Sequence, residues 1–169
     1  MARKVSSTAL WLAIFMVMVA VQAFSAFGQS NSEVLGYWKT GSVGSIGYQN
    51  QVTGQIKSGR GSIFSYKFLP NGTYEFIGYM EMNMYNCNNT LFNQISGRYS
   101  VAGNNIFLTP SRDFWKSTNS CAASGNKQQL KTPTKKVLEF QTKTNEYNQE
   151  LLCISEGGGE ESCYRKEKQ

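Results

Sequence analysis

The feature that most constrains this chain is a two-residue alternation, broken at intervals by short turns rich in Asn and Gly. Tyr74, Phe76, Gly78, Met80, Met82 and Met84 occupy every second position of one run. A period of two places such residues on a single face of a strand. The run is preceded by Pro70-Asn71-Gly72, and Asn-Gly between two extended segments is a hairpin signal. Ile63 to Leu69 and Thr73 to Met84 therefore read as a strand pair. Gly103-Asn104 joins Ile95–Val101 to Asn105–Thr109 in the same way. Thr144-Asn145-Glu146 joins Lys135–Lys143 to Tyr147–Ser155, and Gly157-Gly158-Gly159 leads into Glu161–Lys166. With Glu33–Lys39 and a short run at Phe114–Ser117, about eight strands are expected. Thr40 to Gly61 reads as a long polar loop with room for a short strand near Gly54.

Consecutive hairpins make neighbours antiparallel. A meander of about eight strands closes most naturally into an up-and-down β-barrel, because closure removes both exposed edges. A two-sheet sandwich is the rival. The expected class is all-β.

The N-terminus has another character. Arg3 and Lys4 precede an apolar run from Ala9 to Phe24, and Ala23-Phe24-Ser25 and Ala26-Phe27-Gly28 both fit a small-x-small cleavage pattern. The run is short for a ~20-residue membrane span. Residues 1–28 are expected to be a removable signal peptide, and residues 29–169 one domain with no membrane span. The expected location is secreted or periplasmic.

Cys87, Cys121, Cys153 and Cys163 all follow the leader, and an even count in an exported chain favours two disulfides. There is no Cys-x-x-Cys and no His. No His-assisted nucleophile and no imidazole metal site can be built, so neither a catalytic residue nor a metal or other cofactor is assigned. Paired-carboxylate chemistry would have to draw on Glu residues such as Glu75 and Glu81, which read as solvent-facing. The net charge is +6, of which Arg3 and Lys4 account for two. The remaining charges are scattered, and no nucleic-acid surface is expected.

Several short motifs occur in order. Gly36-Tyr37-Trp38 opens the first strand. Phe68-Leu69-Pro70-Asn71-Gly72-Thr73-Tyr74-Glu75-Phe76 follows, then Gly97-Arg98-Tyr99-Ser100-Val101 with Asn104-Asn105-Ile106-Phe107-Leu108. The set resembles the lipocalin-like (calycin-type) barrels of small secreted bacterial domains. The resemblance implies a barrel closed at one end, where an Arg of the last strand packs over the opening Trp. It therefore pairs Arg165 with Trp38, in a structural role. Cys153 and Cys163 are symmetric about Gly158, so a hairpin turning there sets them opposite each other. Cys87 and Cys121 then pair by elimination.

The candidate ligand-binding residues are Tyr74, Phe76, Met80, Met82 and Met84, on one strand face, and Tyr48, a lid residue of the long loop. They predict a small hydrophobic or amphipathic ligand. Ordinary core packing of the same stripe is the alternative, and Met80, Met82 and Met84 also suit Cu(I). A structural or interaction protein with a filled barrel is the second functional expectation. The oligomeric state is not legible.

Overall fold

The structure, a computed structural model, describes residues 30–43, 48–49, 56–57 and 61–168. The leader expected over residues 1–28 lies outside the described residues. A short helix, α1 (Ser30–Val34), precedes β1 (Gly36–Val43). β2 (Tyr48–Gln49) and β3 (Ile56–Lys57) pair with each other as a separate two-stranded unit. Then come β4 (Gly61–Phe68), β5 (Thr73–Met84), β6 (Cys87–Ala102) and β7 (Asn105–Asn119). A single 3₁₀ turn at Ala123–Gly125 leads to β8 (Lys127–Lys131). The chain ends with β9 (Lys136–Thr144), β10 (Glu150–Glu156) and β11 (Ser162–Glu167).

Eight of these strands form an antiparallel ring. Going round it, β1 pairs with β4, then come β5, β6, β7, β9, β10 and β11, which returns to β1. Each ring strand sits beside the next ring strand in sequence, as the hairpin spacing predicts. β8 stands outside the ring, paired only to the far half of β7.

Local chemistry sets the turns. At Pro70-Asn71-Gly72 the Asn71 Oδ1 accepts hydrogen bonds from the Thr73 N–H (3.1 Å) and the Thr73 hydroxyl (2.7 Å). Gly72 takes φ +76°, a conformation that costs side-chain-bearing residues more. The Tyr99 hydroxyl donates to the Leu69 carbonyl at 3.1 Å, tying β6 to this turn. Asn145 Oδ1 similarly accepts from the N–H groups of Tyr147 (3.0 Å) and Gln149 (2.9 Å).

Direct partners share a sheet face. Trp38, Tyr66, Phe76 and Ile95 are successive Cα partners across β1, β4, β5 and β6. This inner face meets Tyr99, Ile106, Leu108, Leu138, Phe140, Leu152, Ile154 and Tyr164 in one apolar cluster. Val34, Trp38, Ile106 and Leu152 are almost wholly removed from water. Each such side chain contributes roughly 1.5–3 kcal/mol by burial.

Five local expectations give way. Glu33 and Val34 belong to α1 rather than to the first strand. β1 runs on to Val43, into the expected loop, where the short strand read near Gly54 corresponds to β3, paired with β2. β6 begins at Cys87 instead of Ile95, because its polar residues find cross-strand partners. Asn89 Oδ1 accepts from Asn119 Nδ2 (2.7 Å), Thr90 and Thr118 hydroxyls meet at 2.5 Å, and Asn93 Nδ2 donates to Asp113 (2.8 Å). β7 runs through Pro110, because pairing with β9 ends at Leu108 and pairing with β8 begins at Asp113. β8, with the sequence KQQLK, is added to the expected set.

Candidate functional site

The ring has two unlike ends. At one, α1 lies beside the Trp38 indole, whose Nε1 donates to the Val34 carbonyl at 2.7 Å. Lys166 is the Cα partner of Trp38, and its ammonium lies 5.1 Å from the indole centroid. Lys166 Nζ also meets Glu150 at 2.5 Å. A cation over an aromatic face is favourable, by about 0.5–1 kcal/mol where exposed.

Here the expected pairing of Trp38 with Arg165 is corrected by one position. Arg165 faces Lys39 in the register and lies on the outer surface, where its guanidinium pairs with Glu167 at 2.8 Å. The reason is parity: neighbours along a strand point to opposite faces, and only Lys166 shares the face of Trp38.

At the other end, β1, β4, β5, β6 and β7 continue beyond their pairing with β9 and β11 as an extended ribbon, longest in β5, β6 and β7, with β8 on the edge of β7. The strands change register where they leave the ring. Gly97 opposes Pro110 and Ser96 opposes Arg112, so Ser111 bulges, and its hydroxyl donates to the Ser96 carbonyl at 3.2 Å. The backbones approach closely at this point. A Cβ on Gly97 would lie 2.3 Å from the Thr109 carbonyl oxygen and 2.5 Å from Pro110 Cα.

Between the packed end and the ribbon lies a cavity of about 250 Å³. Tyr66, Tyr74, Phe76, Ile95, Leu108 and Pro110 form its apolar and aromatic walls. Asn93 and Asp113 supply polar groups, and Thr134 and Lys136 lie at its exposed rim. Asn93 Nδ2 bridges Asp113 Oδ1 (2.8 Å) and the Phe114 carbonyl (3.0 Å), which fixes the carboxylate. Lys136 Nζ pairs with Glu156 at 2.7 Å. Burial, reinforced by the negative charge of Asp113, pushes the Tyr74 hydroxyl up to about 12. Burial likewise holds Tyr66 well above the ordinary tyrosine range, with Tyr164, Tyr74 and Glu156 adding to the effect. Both hydroxyls stay neutral at physiological pH and can donate or accept a hydrogen bond.

Of the stripe singled out in the sequence, Tyr74 and Phe76 line this cavity. Met80, Met82 and Met84 share their face but continue along the ribbon, outside the cavity lining; Met82 is 49% and Met84 56% exposed. The Tyr48 side chain lies outside the described residues, so its lid role has no structural account. Sequence reasoning missed Tyr66, Asn93, Ile95, Leu108 and Pro110 as wall residues and Asp113, Thr134 and Lys136 as polar ones. Tyr66 had a signal, since it alternates with Phe64 and Phe68. Asp113 had another, as the single Asp of the chain, set between expected strands.

The disulfides pair as the spacing predicts. Cys153 and Cys163 are direct partners across β10 and β11, with Cα atoms 3.9 Å apart. Cys87 and Cys121, with Cα atoms 5.4 Å apart, join the end of the β5–β6 ribbon to the segment after β7. Glu161 lies beside the first pair, but both sulfurs there are bonded to each other and offer no thiolate to a metal. Glu75 and Glu81 accept hydrogen bonds on the outer surface, from Gln94 (2.5 Å) and from Asn88 (2.7 Å) and Tyr79 (3.1 Å) respectively. No helix among the described residues is long and apolar enough to cross a membrane.

No family model, curated protein or solved structure matches this chain.

Proposed function

We propose that this chain is an exported, lipocalin-like β-barrel protein that holds a small apolar or amphipathic ligand in the open end of its ring. The observation that carries the reading is the 250 Å³ cavity with aromatic walls and a few fixed polar groups. Binding sites for small molecules have this composition, and drug-sized ligands occupy roughly 300–1,000 Å³. The ligand is therefore small. The two disulfides and the leader pattern support export. The proposed role is binding rather than turnover, and the oligomeric state forms no part of it.

A second reading, a structural protein with a filled barrel, is favoured by the packing of Trp38, Phe68, Tyr99 and Leu152 through much of the interior. Native mass spectrometry separates the two. The binding reading expects a small organic mass to leave on denaturation, or octanol to be taken up one molecule per chain. A bare chain that takes up nothing favours the filled barrel.

A further inference from the structure

Resting on the reading of this cavity as a binding site, we infer that its occupant is cationic: a small amphipathic amine or quaternary ammonium. Its charge would meet Asp113, and its apolar part the rings of Tyr66, Tyr74 and Phe76.

The argument is one of charge balance. Three ionised side chains bear directly on the cavity: Asp113, Lys136 and Glu156 beside it. Lys136 and Glu156 neutralise each other at 2.7 Å. Asp113 makes no ion pair within 4 Å among the described residues. It has a basic neighbour in the register, since Lys131 is its Cα partner. The Lys131 ammonium instead lies 5.1 Å from the Trp115 ring centroid. Arg112, the preceding residue, turns to the outer surface over Phe114. Asp113 thus keeps one fixed hydrogen bond, from Asn93, and an uncompensated charge beside an aromatic cavity.

Two general effects then favour a cation. An opposite charge near a partly desolvated carboxylate is attracted more strongly than in bulk water. The faces of aromatic rings carry a negative quadrupole and attract ammonium groups, an effect used in aromatic cages. A carboxylate or sulfate ligand would meet the charge of Asp113 and the electron-rich ring faces together. The cavity is also large enough for a short alkyl or aryl tail beside an ammonium group, and too small for a long acyl chain.

Isothermal titration of the purified chain with three probes of equal tail length tests this: octyltrimethylammonium, octanol and octyl sulfate. The cation is expected to bind about tenfold tighter than octanol, a difference of about 1.4 kcal/mol, with the sulfate weakest. Asp113→Asn, nearly isosteric and still able to accept from Asn93, should weaken binding of the cation about tenfold and bring it level with octanol in the same variant. Asp113→Glu should retain it. If octanol or octyl sulfate binds as well as the cation, and Ile95→Trp abolishes that binding, the charge inference fails while the binding site stands. If none of the three binds, the binding reading fails with it.

Discussion

The packed end of the ring and the ribbon that leaves its other end are built from the same strands with opposite chemistry. β6 carries buried Tyr99 between exposed neighbours within the ring, and Asn88, Asn89, Thr90 and Asn93 in the ribbon. The first half is held by apolar burial, the second by side-chain hydrogen bonds between partners such as Asn89 and Asn119. Burial contributes per area removed from water, whereas an exchanged hydrogen bond contributes only about 0.5–1.5 kcal/mol net. The comparison teaches that a single strand can serve as rigid wall and as loosely held extension, with the cavity formed where one becomes the other.

The largest effects are expected at the packed end. Trp38→Ala removes a side chain that is 1% exposed and should cost about 3–5 kcal/mol, read by denaturant titration. A cost below 1 kcal/mol would break the distinction between the two ends. Replacing Cys153 and Cys163 together with Ser opens a 10-residue separation and should lower global stability by about 3 kcal/mol.

Replacing Cys87 and Cys121 tests the same principle from the other side. Their separation of 34 residues predicts a larger loop-closure effect. The ribbon is expected to open locally instead, so global stability should fall by less than in the Cys153/Cys163 variant. Hydrogen exchange would rise in residues 87–93 and 113–119 and stay slow in residues 99–101 and 106–108.

Gly97→Ala probes the boundary. Its methyl would overlap the Thr109 carbonyl, and overpacking of this kind costs about 1–3 kcal/mol. Because the clash sits at the bulge, ligand uptake should weaken as well.

Alkaline titration sharpens the account of the cavity. Tyr74 ionises near 12 in the fold and near 10 when unfolded. The unfolded chain therefore releases its proton first. The contribution of Tyr74 is fully present below about pH 10 and is lost as pH rises toward 12. Tyr74→Phe should flatten this part of the stability profile. The smallest effect is expected from Met82→Ala and Met84→Ala, both at exposed positions, with stability changing by no more than about 0.5 kcal/mol.

Much of this ring was legible because alternation and turns are local. Tyr74 and Phe76 could be assigned to one face from spacing alone, and Cys153–Cys163 followed from the position of Gly158. Arg165 shows the limit. Choosing between Arg165 and Lys166 needs the register of β11 on β1, a long-range property that a shift of one residue reverses. The polar half of β6 was hidden for a related reason: Asn88, Asn89 and Asn93 have low intrinsic strand preference, and their cross-strand partners make an extended conformation favourable. Asp113 belongs to the site because a bulge at Ser111 resets which residues face inward, and no local pattern marks that bulge.

The most direct test of the cavity is methyl NMR on the chain titrated with octanol. Saturable shifts are predicted for the methyl groups of Ile95 and Leu108, with those of Ile106 and Leu152 at the packed end unmoved. Shifts confined to exposed Met82, Met84 and Leu130, or no saturable shift at all, would contradict a ligand held inside the ring.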